Sequence, residues 1–278
     1  MTIKHKMYSK DGSIKYILTT EDGHFFECIY MPHGEDGIVL CLSSQIGCVN
    51  KCNHCATGKV DYIRDLSSIE ICDEVRVMLL DNEYDGSIKI AILFMGMGEP
   101  FLNFENVIDS INSMNVEFGI KDEDITISTV GILSMIRKFS KLCRKIRLAV
   151  SLHATNDEIR NRIIPLNKIY GISEILETIK EYNDLDLRPI LLQYTLIGGV
   201  NDKNEDAEGL ASIVSNYNCE VRLIPFNPAP SVSFMETTDE RIEAFCKVLL
   251  SNNIPYVVSR SRGIDVSGGC DQLYLYGA

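Results

Sequence analysis

From Ile38 onward the sequence alternates short apolar runs with segments of helical period, and no other feature restricts the fold as much. Seven runs read as strands: Val39 to Leu42, Ile88 to Met95, Ile125 to Thr129, Ile146 to Leu152, Ile190 to Ile197, Val221 to Phe226 and Tyr256 to Arg260. Between them apolar residues recur every three or four positions, as one buried helix face requires. Ile71, Cys72, Val75, Met78 and Leu79 follow a capping-box pair, Ser67 with Glu70. Phe104, Val107, Ile108, Ile111 and Met114 mark a second helix, and Ile172, Ile175, Leu176 and Ile179 another. Thr237 with Glu240 opens a last one carrying Ile242, Phe245, Cys246 and Leu249. Such alternation builds parallel βαβ units, hence an open doubly wound sheet or a complete or partial α/β barrel. Ahead of it, Ser13 to Thr19 and His24 to Met31 read as strands joined by the turn Glu21-Asp22-Gly23. The expected organisation is a β-hairpin extension, residues 1–36, followed by one α/β domain, residues 37–278.

Composition narrows the setting. A chain of 278 residues with 45% hydrophobic and 24% charged residues buries a substantial core. It has no apolar run of about 18 residues and no apolar leader, so a cytoplasmic location without a membrane partner is expected. Ten cysteines in a reducing compartment read as metal ligands, catalytic thiols or buried small residues rather than a disulfide scaffold. A net charge of −12 opposes unaided binding to a phosphate backbone.

In either α/β arrangement, chemistry sits at the C-terminal ends of the strands, and the distinctive residues cluster there. Cys48, Cys52 and Cys55 follow the first strand and Gly96 to Pro100 the second; Ser128 ends the third, Ser151 and His153 the fourth, and Asn227 follows the sixth. Cys48-x3-Cys52-x2-Cys55 offers three thiolates for three corners of a cubane iron–sulfur cluster, leaving one iron for another ligand. A structural zinc site completed by His54 or a distant cysteine has the same raw material. Glycines at 96 and 98 admit close approach of a ligand to backbone. Ser128, Ser151, His153 and Asn227 also have ordinary readings as turn or core residues, and Glu27 as a solvated strand residue. Cys28, Cys72, Cys143, Cys219 and Cys246 read as packed small apolar residues.

CLSSQIGCVNKCNHCATG (Cys41 to Gly58), FMGMGEP (Phe94 to Pro100), ITISTVGI (Ile125 to Ile132), LAVSLHATNDEIR (Leu148 to Arg160), GVNDKNEDA (Gly199 to Ala207) and LIPFNP (Leu223 to Pro228) occur in this order. Together, from about Ser13 to Leu273, they resemble the radical S-adenosylmethionine (SAM) adenine methyltransferases of ribosomal and transfer RNA. That family includes carbon-2 and carbon-8 methylating enzymes. The resemblance implies a partial (βα)6 barrel, a 4Fe-4S cluster on Cys48, Cys52 and Cys55, and SAM contacts from Gly98, Glu99, Ser128, Ser151, His153 and Asn227. It implies that Cys270 carries a methyl group, which loses hydrogen to a 5′-deoxyadenosyl radical and adds to the base. Cys41, seven residues before Cys48, would release the adduct by attack on the Cys270 sulfur, and Glu27 would be the proton acceptor. RNA is the implied substrate, and a flavodoxin-like or other low-potential donor the implied electron source.

Some positions depart from the family. No counterpart of its helical accessory domain is expected ahead of the hairpin, and Asp271 stands where the family has glycine, next to Cys270. A carboxylate there disfavours the Cys270 thiolate. Lys51, Lys59, Arg64, Arg260 and Arg262 read either as a phosphate-contacting patch or as solvated charges. A nucleotide, small metabolite or peptide substrate is the alternative reading, and a non-catalytic iron–sulfur or zinc protein a further one.

Overall fold

The computed structural model describes residues 1–185 and 187–274. Three antiparallel strands, β1 (Thr2–Tyr8), β2 (Ile14–Thr19) and β3 (Phe25–Pro32), form a meander. β3 pairs antiparallel with β4 (Ile38–Leu42), where the parallel sheet begins. After β4, the two-residue strands β5 (Gln45–Ile46) and β6 (Arg64–Asp65) pair and close a long loop. The sheet continues in chain order with β7 (Ile90–Phe94), β8 (Ile125–Thr129), β9 (Arg147–Ser151), β10 (Ile190–Gly198) and β11 (Cys219–Pro225). A short β12 (Met235–Glu236) pairs antiparallel with the end of β10, and β13 (Tyr256–Val258) lies parallel to β11 at the edge.

Helices connect the parallel strands: α1 (Ser68–Asp81), α2 (Phe104–Glu117), α3 (Leu133–Ser140), α4 (Asp157–Ile163), α5 (Ile172–Asn183), α6 (Asn204–Val214) and α7 (Asp239–Ser251). The α/β class and the parallel strand order thus follow the alternation in the sequence. Outer strands β1 and β13 do not pair with each other among the described residues.

Burial along β4 and β7 has period two, which decides what each face does. Ile38, Leu40 and Leu42, with Ile90, Ile92 and Phe94, pack into the main core. Val39, Cys41, Ala91 and Leu93 point the other way and line a cavity. β10 is buried from Ile190 to Ile197, as a central parallel strand covered on both faces should be.

Three local expectations change. The strand Thr2–Tyr8 has no signal in the sequence, because TIKHKMY is an edge strand whose mostly exposed polar residues lack an apolar alternation. The last helix is capped by Thr238, whose Oγ1 accepts from Arg241 N at 3.3 Å. Thr237 is buried instead and donates to Asp202 at 2.8 Å. Cys143 is exposed in a left-handed turn (φ 49°), whereas Cys28, Cys72 and Cys219 are buried as expected and Cys246 is partly so. Among the described residues no helix is long and apolar enough to cross a membrane.

Candidate active site

The loop after β4 is stitched to the loop after β7. Met97 O accepts from Ser44 N at 2.8 Å and Gln45 N at 3.2 Å, while Met97 N donates to Ser43 Oγ at 2.7 Å. Gly96 and Gly98 make this stitching possible. A Cβ at Gly96 would sit 2.6 Å from Leu42 O, and one at Gly98 (φ 96°) 2.5 Å from Gln45 Cβ. The close approach anticipated at these glycines is therefore made by a neighbouring protein loop.

A cavity of about 120 Å³ opens beyond these strand ends, and Cys48, Cys52 and Cys55 share its wall. Burial raises the Cys48 thiol to about 11 and the Cys55 thiol to about 12, and pushes Cys52 well above its ordinary value. Left alone, these groups hold their protons at neutral pH; a metal centre is what converts buried thiols to thiolates. Asn50 Nδ2, in the same loop and cavity wall, is buried without a hydrogen-bond partner. Among the described residues no three His, Cys, Asp or Glu side chains are grouped to hold one ion. Three cysteine thiols sharing one cavity wall are the donors that three corners of an iron–sulfur cluster take, so the donor set fits such a cluster.

The strand-end residues complete this cavity. Glu99 is 2% exposed; its Oε1 accepts from Phe101 N at 3.0 Å and its Oε2 from Val130 N at 2.9 Å. Burial raises its carboxyl to about 7, against these backbone donors. Ser128 Oγ donates to Gln193 Oε1 at 2.6 Å. His153 has a left-handed backbone (φ 55°), and its Nδ1 accepts from Thr195 N at 3.0 Å, which assigns the ring proton to Nε2. Burial holds the His153 pKa well below the ordinary value, so the ring is neutral. Gly98, Glu99, Ser128, Ser151 and His153 all line the cavity with the three cysteines.

Cys270 also lines it, and lines a second, larger cavity of about 320 Å³. Cys41 faces that second cavity from β4, together with His33, Arg222, Arg260 and Arg262. Burial raises the thiols of both Cys41 and Cys270; at Cys270 the adjacent Asp271 adds to the rise, while Ser261 and Arg222 oppose it. Asp271 adopts φ 67°, and its carboxylate lies 3.5 Å from His54 Nε2. Where the family has glycine, this chain thus places a residue with a left-handed backbone that adds a link to the cysteine loop.

Two expected site residues line neither cavity. Asn227 Nδ2 donates to Ser261 Oγ at 2.7 Å and to Cys270 O at 3.1 Å, supporting the Cys270 segment from behind. Glu27 is fully buried beside Lys15 rather than solvated. The basic residues are mostly neutralised: Lys51 pairs with Asp61, Arg64 with Asp22 and Glu70, Arg260 with Asp239, and Arg262 with Asp11. Lys59 has no carboxylate partner among the described residues.

Sequence reasoning passed over three residues. Gln193 lines both cavities and holds Ser128; its signal was a lone amide inside the apolar run ILLQYTLIG. Arg160 is buried and donates to the carbonyls of Val130, Ser151 and Leu152, which ties the ends of β8 and β9 together. Arg222 projects from β11 into the second cavity, with its Nε buried and without a partner. An arginine alternating with Val221 and Leu223 in a buried strand was the available signal.

Comparison with known proteins agrees with this geometry. The radical SAM superfamily profile matches residues 42–211. The chain is 38% identical over 279 residues to a probable dual-specificity RNA methyltransferase RlmN of Nostoc punctiforme, covering 98% of this chain and 76% of that one. It is 37% identical to the protein of the same name from Prochlorococcus marinus strain MIT 9515, with 98% and 79% covered. A crystal structure of a radical SAM methyltransferase from Sphaerobacter thermophilus superposes with TM-score 0.93 at 35% identity, over 98% of this chain and 80% of that one. A chain that matches the profile over most of its length and aligns over 98% of its length with these proteins belongs to the radical SAM superfamily, in the family of the RlmN methyltransferases.

Proposed function

We propose that this chain methylates an sp2 carbon of adenine in RNA, using Cys270 as the carrier of the incoming methyl group and Cys41 to release the product. The observation that carries the reading is the position of Cys270, in the wall of both cavities. On one side stand Cys48, Cys52 and Cys55; on the other, Cys41 and a set of arginines.

Cys48, Cys52 and Cys55 would hold a 4Fe-4S cluster, and Gly98, Glu99, Ser128, Ser151 and His153 would enclose SAM beside it. When bound, these groups supply one-electron chemistry and the methyl group, with electrons from a flavodoxin-like or other low-potential donor. Cys270 accepts the methyl group on its sulfur after losing the thiol proton, a loss that Arg222 favours and Asp271 opposes. Once the carbon carried on Cys270 is bonded to the base, Cys41 Sγ, having given up its proton, attacks Cys270 Sγ: a sulfur–sulfur bond forms, the bond from Cys270 Sγ to the product carbon breaks, that carbon keeps the electron pair and takes up a proton to become the methyl group, and a disulfide remains for external reduction. Arg222, with an unpartnered buried Nε, offers donors to a phosphate or base acceptor in the second cavity.

Anaerobic incubation with methyl-labelled SAM, followed by separation of cell RNA from small molecules and mass spectrometry of the Cys270 peptide, tests this. Label in RNA adenine and a methyl group on Cys270 are expected. Label confined to small molecules would reject RNA as substrate, and an unmethylated Cys270 would reject the two-cysteine route.

A further inference from the structure

We propose that the buried Lys15–Glu27 pair is a clamp that positions the Cys270 segment between the two cavities, and that Glu27 is a positioning residue rather than a proton acceptor. Both side chains are 0% exposed, and Lys15 Nζ lies 2.8 Å from Glu27 Oε1. The register of β2 and β3 sets Lys15 opposite Ile29 and Ile17 opposite Glu27, so the two are diagonal neighbours on one face of the sheet.

Each partner holds one end of the same stretch of chain. Glu27 Oε2 accepts from Tyr274 N at 2.9 Å, and Lys15 Nζ reaches Ser267 O at 3.5 Å. Cys270 lies between those two anchors. The middle of the stretch is bonded to the cysteine loop, with Ala56 N donating to Asp271 O at 2.7 Å and Thr57 Oγ1 to Leu273 O at 2.8 Å. Ser267 (φ 54°) and Asp271 (φ 67°) both take left-handed conformations, which a free chain disfavours and surrounding contacts must impose. The N-terminal strands are in this way the mount that carries Cys270 over the cysteine loop.

The same contacts argue against proton acceptance. A general base has to reach the proton it removes, whereas Glu27 lines neither cavity and each of its oxygens already faces a donor. A buried pair adds little net stability but fixes register, and removing one partner strands a charge, so the informative variants remove both charges.

The effect on catalysis rests on Cys270 being the methyl carrier; the clamp itself does not. The test is amide exchange of peptides spanning residues 261–274 in the anaerobically prepared full chain, with iron content as the loading control. Lys15→Met with Glu27→Met should accelerate exchange there by about tenfold or more, because both anchors are lost. Lys15→Met with Glu27→Gln keeps an acceptor for Tyr274 N, so exchange at Tyr274 should stay within about threefold of the parent. Product formation should follow the same order, with the Gln variant retaining turnover within about tenfold. Parent-like exchange in the double Met variant would overturn the clamp. A protected segment in the Gln variant combined with a loss of turnover of about a thousandfold would restore Glu27 as the base. Should the double Met variant not fold, the Gln variant alone still separates the two roles. If Cys270 is not the carrier, its peptide stays unmethylated in the parent while the exchange difference persists.

Discussion

The two cavities that meet at Cys270 differ in size, charge and construction. The smaller, of about 120 Å³, is built from strand ends and the cysteine loop, and its polar groups are largely locked: Glu99 by two backbone donors, Ser128 by Gln193, His153 by Thr195. The larger, of about 320 Å³, is walled by the apolar faces of β4 and β7 opposite Arg222, Arg260 and Arg262. A locked, thiol-rich site suits a resident cofactor, while a roomier site with an arginine Nε that lacks a hydrogen-bond partner suits an acceptor from outside. The contrast teaches that the net charge of −12 is a poor guide to the binding face. Most basic residues near the motifs are spent on internal carboxylates, whereas Arg222, in the cavity wall, has a buried Nε without a hydrogen-bond partner.

The largest effects separate the cavities by which half of the chemistry survives. Cys48→Ala, Cys52→Ala or Cys55→Ala should lower iron and sulfide content and abolish SAM cleavage together with methyl transfer. Cys270→Ala should leave iron content and SAM cleavage intact but reduce product by at least about a thousandfold. Cys41→Ala should trap a covalent RNA–protein adduct at Cys270, seen as a mass shift on that peptide. Equal loss of SAM cleavage in all five variants would erase the distinction between the sites.

A smaller effect reports on the first cavity alone. Glu99 has its pKa raised from 4.5 to about 7, so the folded chain keeps a proton that the unfolded chain has released between those values. Stability of the cluster-free protein should therefore fall as pH rises through that window, by on the order of 3 kcal/mol. Glu99→Gln should flatten this dependence in denaturant titrations at several pH values; unchanged slopes would show that the carboxyl is ionised throughout.

The smallest effect belongs to the second cavity. Arg222→Met should weaken RNA binding by about tenfold and Arg222→Lys by less, since a charged hydrogen bond is lost or made poorer. If the partner is a phosphate, the salt dependence of binding should also become shallower by about one counterion. Unaltered affinity in the Met variant would remove Arg222 from substrate recognition.

The legibility of these features in the sequence follows their range. The capping box of α1 forms as read, with Ser67 Oγ accepting from Glu70 N at 3.2 Å, because all its partners lie within four residues. The first-cavity residues Gly98, Glu99, Ser128, Ser151 and His153 were also readable, since a parallel strand order puts every C-terminal end on one side. Thr237 was misassigned by one position because two adjacent threonines compete for one cap, and burial against Asp202 decided between them. The burial of Glu27 against Lys15 was not legible, because a carboxylate in a strand gives no hint of a lysine across the hairpin.

What the sequence determined by itself is the order of strands and helices, the three-cysteine loop after the first parallel strand and the family to which these motifs belong. These depend on periodicity and short spacings, which local backbone geometry converts directly into structure. Only the tertiary structure decided that Cys41 and Cys270, more than 200 positions apart, share a cavity; that Arg222 joins them; and that Lys15 and Glu27 hold both ends of the segment between Ser267 and Tyr274. Contacts of that kind follow from how separate elements pack, and burial then determines which charges must pair and which are left for a ligand.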